Sequence, residues 1–225
     1  MMTLSWMNLP AGVTFEIAPL ADLGQGLMTA EAQSLNPQAG ERRRREFMAG
    51  RCLARRLLAP HGYGDHTLLP AADGAPQWPP GMTGSISHCR DLVFAAVAAT
   101  QDIDAIGIDI ETLARFHDEL ARPILTAGEW ALLPEDPIAR RRQMAIAFAA
   151  KEAFYKYQFV LFGEKLAFQD AEIHIQASKQ TAAIVMTNPE KHDHLATDAL
   201  VHYALSGTHV AAMVLRCHRP ENSGR

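Results

Sequence analysis

Gly107-Ile108-Asp109-Ile110-Glu111 is the stretch that decides how this chain is read. Alternation of apolar and acidic residues over five positions is the pattern of a half-buried strand. Ile108 and Ile110 then point into a core while Asp109 and Glu111 share the opposite face. Some forty residues on, Lys151-Glu152-Ala153-Phe154-Tyr155-Lys156 reads as helix, with Glu152 and Lys156 one turn apart on one face. If strand and helix pack together, three carboxylates and a lysine converge. That set offers hard oxygen ligands to Mg²⁺ and a cation for phosphate charge. A plainer reading stays open at this point, since such pairs also occur on solvated faces with weak ion pairs. The apolar neighbours Ile106, Ile108, Ile110, Phe148, Ala149 and Ala150 favour burial.

The rest of the composition sets bounds. The chain has 225 residues, 48% hydrophobic and 20% charged, which suffices for one domain or two small halves. No apolar run is long enough to span a bilayer. The start, Met1-Met2-Thr3-Leu4-Ser5-Trp6, lacks the basic and apolar regions of a signal peptide, so a cytoplasmic protein is expected. Cys52, Cys89 and Cys217 are odd in number and widely spaced with no CxxC pair, which points to buried free thiols and argues against a disulfide framework or a zinc site. Residues 41–56 hold seven Arg against two Glu, a local +5 in a chain of net charge -4. A compact basic patch on an acidic protein suits a small anionic ligand and argues against nucleic acid.

Along the chain, residues 42–59 form an amphipathic helix ended by Pro60 and Gly62. Gly50 inside it suggests close approach of another backbone or a ligand. Residues 60–84 are a Pro- and Gly-rich loop around Trp78. Strands are expected near Ser85–His88, Leu92–Ala99 and Asp104–Ile110. A helix from Arg140 to about Val160 follows, then strands over Glu172–Ile175, Ala182–Met186, Leu200–Leu205 and His209–Leu215. Thr126 with Glu129 reads as a capping box. Helix followed by strands occurs twice, a weak internal echo of two α+β halves meeting near residues 100–112. No Ser/His/Asp triad, P-loop or dinucleotide fingerprint is legible. His192-Asp193-His194 is expected in a polar surface loop, and His88 alone reads as a hydrogen-bonded residue at a strand end.

Four stretches occur in a telling order: Arg43 through Arg51, Gly84-Ser85-Ile86-Ser87-His88-Cys89, Gly107 through Glu111, and Phe148 through Lys156. Together, over about residues 42–175, they resemble the 4'-phosphopantetheinyl transferases of the monomeric surfactin-synthetase type, nearest the enterobactin-synthase branch. The resemblance implies transfer of the phosphopantetheine arm of coenzyme A to a serine of an apo acyl, peptidyl or aryl carrier protein, with release of adenosine 3',5'-bisphosphate. Siderophore, non-ribosomal peptide, polyketide or fatty acid synthesis would use the product. It implies an α+β fold of two pseudo-twofold-related halves, each a small antiparallel sheet on a long helix. The halves fall at 1–104 and 105–225 in a monomer, with coenzyme A between them.

Residue by residue, the resemblance makes Asp109, Glu111 and Glu152 the Mg²⁺ ligands. It gives Arg43, Arg51, Ser87, His88, Asp109, Lys151 and Lys156 to coenzyme A. Glu152 (or a water held by Glu111) and Lys156 become the acid–base pair. Many relatives carry Gly-Lys-Pro where this chain has Gly74-Ala75-Pro76, so a phosphate-facing lysine is missing. Either Arg42–Arg45 compensates or coenzyme A binds less tightly. The stretch 113–145, with Arg115, Arg122, Arg140, Arg141, Arg142, Leu120, Ile124 and Leu125, is the expected docking flap for an acidic carrier. Two other readings compete: a different Mg²⁺-dependent phosphoryl or nucleotidyl transferase, and a non-catalytic coenzyme A binding protein.

Overall fold

The computed structural model describes residues 10–23, 26–192, 194–195 and 199–218. In chain order its principal elements are β1 (Thr14–Pro19), α1 (Thr29–Ser34), α2 (Glu41–Leu58), β2 (Met82–His88), β3 (Leu92–Ala99) and β4 (Ile103–Thr112). Then come α3 (Asp118–Ala121), α4 (Ala127–Ala131), α5 (Pro137–Phe162), β5 (Ala171–Gln176), β6 (Thr181–Met186), β7 (Leu200–Leu205) and β8 (His209–Cys217). The fold is α+β, with two antiparallel sheets of order β1-β3-β2 and β4-β8-β7-β6-β5.

Strand periodicity builds three cores from these elements. On β3, Val93, Ala95 and Val97 pack with Ala49, Leu53, Ala54 and Leu57 of α2. Phe94, Ala96 and Ala98 on its other face meet Ile106, Ile108 and Ile110 of β4 and Ala211 and Met213 of β8. The remaining face of β8 (Val210, Ala212, Val214) lies on α5. Each sheet thus packs one long helix outside and shares one apolar seam inside. Deep burial of three isoleucines on β4 removes each from water at about 1.5–3 kcal/mol.

Helix α5 has clear ends. Asp136 caps α5, its carboxylate accepting from Ala139 N at 2.7 Å, Pro137 opens it, and Gly163 at φ 68° closes it. The Thr126/Glu129 capping box is present at α4. Gly50 lies where α2 crosses β2: a Cβ there would stand 2.9 Å from Ile86 Cγ2, so the close neighbour is a side chain. Three expectations need correction. Cys217 is exposed rather than buried. His192 is fully buried rather than in a surface loop, with Nδ1 3.0 Å from Glu164 (Asp193 lies outside the described residues). Ile124 and Leu125 of the expected flap are core residues.

Candidate active site

Gly107, Asp109 and Glu111 occupy one face of β4, and α5 crosses that face. The crossing is close because position 107 has no side chain. A Cβ there would fall 1.9 Å from Ala153 O and 2.6 Å from Tyr157 N, both backbone atoms of α5. This contact sets Glu152 and Lys156 of the helix against the acidic face of the strand.

Asp109 is the hub. Its Oδ1 accepts from Ser87 Oγ at 2.6 Å and Lys156 Nζ at 2.9 Å. The ammonium also donates to Ser87 Oγ at 3.2 Å and to Ile108 O at 3.0 Å. Oδ2 of Asp109 is buried and has no hydrogen-bond partner among the described residues. Glu111 receives Arg115 Nη1 at 2.5 Å, yet burial and the Asp109 charge push its carboxyl up to about 7. Glu152 is also raised, chiefly by burial, with Lys156 opposing and Asp109 adding to the shift. An orphaned carboxylate oxygen, two carboxyls lifted by burial and mutual repulsion, and an all-oxygen donor set fit a hard divalent cation. The three are near enough to couple but not closed on one point. Among the described residues, the only three Cys, His or acidic groups with ligand atoms all within 4.8 Å are Cys89, Asp91 and His209.

A second group lies across β2. Arg43 Nη1 stands 3.4 Å from His88 Nε2, and His88 Nδ1 is 3.8 Å from Glu46 Oε2. Burial lowers the His88 pKa, with Glu46 opposing, which favours a neutral imidazole. Glu46 is buried and also binds Arg42 at 2.7 Å. Its role was not read from sequence, although its i+4 spacing from Arg42 was there to be seen.

Four basic side chains are engaged within the protein: two expected on the ligand and two read as supporting charge. Lys151 was expected to reach the ligand, but its side chain is fully buried and Nζ donates to Glu129 Oε2 at 2.7 Å, Phe168 O at 2.8 Å and Ile124 O at 2.9 Å. Adjacent helix residues point about 100° apart, so with Glu152 facing β4, Lys151 turns into the C-terminal core. Arg51, expected on a phosphate, is buried with Nε on Leu68 O at 3.1 Å and its guanidinium over the Phe47 ring. Burial pulls its pKa down to about 10. Arg55, read as supporting charge, pairs with the buried Glu31 of α1. Arg44, likewise, donates to Ala39 O and Pro37 O.

Lys151→Met tests the first correction. It strands Glu129, whose Oε1 also accepts from Ile173 N at 2.8 Å. Breaking a buried pair from one side costs about 3–5 kcal/mol. A fall of about 10 °C in melting midpoint is expected by calorimetry, and an unchanged midpoint would reject the structural role.

Beside Lys156 opens a cleft of about 530 Å³, walled by Trp78, Ile86, Ile106, Phe159, Val160 and Leu166. Ala75 and Lys165 also line it.

Comparison with known proteins matches both halves. Residues 30–98 fit the family model of the 4'-phosphopantetheinyl transferase N-terminal domain, and residues 105–214 fit the 4'-phosphopantetheinyl transferase superfamily. The 4'-phosphopantetheinyl transferase Npt of Nocardia iowensis is 33% identical over 177 residues, 77% of this chain and 78% of that protein. The 4'-phosphopantetheinyl transferase Svp of Streptomyces mobaraensis is 33% identical over 158 residues, 68% of this chain and 63% of that protein. Enterobactin synthase component D of Escherichia coli K12 is 35% identical over 122 residues, 52% of this chain and 56% of that protein. The match thus spans less than two thirds of the length of Svp and of component D, and more than three quarters of Npt. With both family models matched in order along one chain, this protein belongs to the 4'-phosphopantetheinyl transferases.

Proposed function

We propose that the chain transfers the 4'-phosphopantetheine arm of coenzyme A to a serine hydroxyl of an apo carrier protein, with Mg²⁺ and release of adenosine 3',5'-bisphosphate. The observation that carries this reading is the meeting of Asp109, Glu111, Glu152 and Lys156 at the β4–α5 crossing, beside an apolar cleft. The apolar walls suit the pantetheine chain, and the charged end suits the diphosphate.

The serine oxygen forms a bond to the phosphorus bearing the pantetheine, and the bond from that phosphorus to the bridging oxygen breaks. The leaving phosphate carries the electron pair away, and the serine proton passes to Glu152. Burial raises the Glu152 pKa, which suits it to accept that proton. Lys156 sets its positive charge beside the leaving group. Asp109, Glu111 and Glu152 would hold Mg²⁺, which when bound would supply Lewis-acid withdrawal of charge from the diphosphate. Most of the acceleration comes from positioning and electrostatics, as in other phosphoryl transfers.

Arg43 and His88 hold the outer phosphates at the far rim. Arg43→Ala should raise KM for coenzyme A about tenfold and leave kcat within about twofold, as expected for binding shared by ground and transition states. Equal loss in kcat would move Arg43 into the chemistry. Lys165 lines the same cleft as Ala75, where a lysine is missing, and brings positive charge to it.

Metal affinity should depend on pH. With the Glu111 carboxyl near 7 in the metal-free protein, binding must displace a proton there. Mg²⁺ affinity should therefore fall as pH drops from about 7.5 to 6. Titration calorimetry in buffers of different ionisation enthalpy should register proton release, which Glu111→Gln reduces. Proton release of equal size in that variant would refute the linkage.

The carrier docks on the surface beside the site. Ile138 is exposed at 62%, and Arg141 and Arg142 flank it around a shallow hollow beside Leu113. Arg140 is spent on Asp118 and on the Trp130 ring. An acidic amphipathic helix complements that apolar and basic face. The whole reading is tested by mass spectrometry of apo carrier proteins incubated with the chain, coenzyme A and Mg²⁺. A gain of one phosphopantetheine, abolished by chelator, is expected. Hydrolysis of coenzyme A or a nucleotide without carrier modification would overturn it.

A further inference from the structure

Away from the carboxylates, three side chains of different chemistry meet at one end of the seam between the sheets. Cys89 follows β2, Asp91 precedes β3, and His209 opens β8. His209 Nε2 is 2.9 Å from Asp91 Oδ1, and Cys89 Sγ is 3.5 Å from the same oxygen. One ligand atom from each lies within 4.8 Å of the other two. The Thr112 hydroxyl, buried beside its strand partner His209, faces the thiol from β4. Thr112 and Glu111 are consecutive on a strand and so point to opposite faces, which separates this cluster from the Mg²⁺ ligands.

We infer that Cys89, Asp91 and His209 form a second metal site, for Zn²⁺ or a similar thiolate-seeking transition metal, joining the two halves of the molecule. Thiolate, imidazole and carboxylate are the donors that Zn²⁺ takes at about 2.0–2.3 Å, and tetrahedral ligand atoms then stand about 3.2–3.8 Å apart. The 3.5 Å Sγ–Oδ1 edge already meets that span, and the 2.9 Å edge needs only a small opening. The ring of His209 is held at its other nitrogen: Nδ1 is 2.8 Å from Thr208 Oγ1. That contact orients Nε2 toward the metal, as outer hydrogen bonds commonly do for metal-bound imidazoles.

Asp91 is exposed while Cys89 and His209 are buried, so the site has an entry and a fourth position for water. On binding, the thiol proton leaves to solvent and the imidazole proton resides on Nδ1, donated to Thr208. Thiolate and imidazole together select against Mg²⁺, so the two sites sort their ions.

The test uses the reduced full chain with excess Mg²⁺ and Co²⁺ as the spectroscopic probe. One equivalent of Co²⁺ should give a thiolate-to-metal charge-transfer band, displaced by Zn²⁺. Cys89→Ser and His209→Gln should abolish it, whereas Cys52→Ser and Cys217→Ser should keep it. Zn²⁺ at a hundredfold excess over its Kd should raise the melting midpoint by about 5–10 °C. Asp91→Asn, at the exposed rim, guards against misfolding of the buried variants. It should fold as wild type and bind Co²⁺ at least tenfold more weakly. No charge-transfer band in the parent protein, a band that survives Cys89→Ser, or full affinity in Asp91→Asn would overturn the site.

Discussion

Asp109→Ala is expected to lower turnover by about 10³-fold or more at saturating coenzyme A, the range seen when one preorganised electrostatic partner is lost. The side chain does three things at once. It accepts from Ser87 and anchors Lys156 through Oδ1, leaves Oδ2 for a cation, and contributes the charge that helps lift Glu111. Removing it takes from the Lys156 ammonium its charged acceptor, leaving Ser87 Oγ and Ile108 O. It should also weaken the proposed Mg²⁺ binding and let Glu111 ionise at lower pH. The check is the initial rate of carrier modification with coenzyme A and carrier both saturating, alongside circular dichroism to confirm folding. A folded variant within tenfold of wild-type kcat would remove Asp109 from the reaction. Asp109→Asn separates two contributions. It keeps an acceptor for Ser87 but lacks the charge, so its rate should lie near that of the alanine variant.

Among the described glycines, Gly107→Ala should be the most damaging added methyl group. The new Cβ would overlap the carbonyl of Ala153 and crowd the amide of Tyr157, and neither backbone atom can rotate away. Helix α5 must then lift from β4, opening the contact that buries Ala153, Phe154 and Tyr157. Forced overpacking costs about 1–3 kcal/mol where side chains can adjust. Here they cannot, so a loss above about 3 kcal/mol is expected, read as a lower denaturant midpoint. Activity should fall further than stability alone dictates, because the displaced helix carries Glu152 and Lys156 away from Asp109. Gly50→Ala provides the scale. Its Cβ would meet only the Ile86 methyl, and the better helix propensity of Ala offsets part of that strain. An unchanged midpoint for Gly107→Ala would contradict the close packing of strand and helix.

How much of this could be read from residues alone follows from the range of each interaction. The strand expected over 104–110 runs 103–112 and the helix expected from 140 to about 160 runs 137–162; both were legible because strand alternation and helical periodicity are local. Asp109, Glu111, Glu152 and Lys156 could be grouped because two periodicities predicted two faces. What failed was direction across the chain. The sequence does not say that Lys151 faces Glu129, since that pairing follows from which side of α5 meets β4. Nor does it say that Arg51 and Arg55 turn inward: the partner of Arg55 is Glu31, in a short helix with no periodic signal of its own. The Cys89–Asp91–His209 meeting is also invisible in one dimension, because 118 residues separate its last two members.

The two faces of β4 differ so sharply that its alignment with β8 checks itself. Slipping the pairing by one residue would turn Asp109 and Glu111 into the dry seam and send three isoleucines toward the helix. Neither set tolerates the other's surroundings, since unpaired buried carboxylates are costly and the helix backbone leaves no room for branched side chains. A nascent chain that zips these strands out of step would therefore find no stable resting state. The acidic residues proposed for chemistry also proofread assembly.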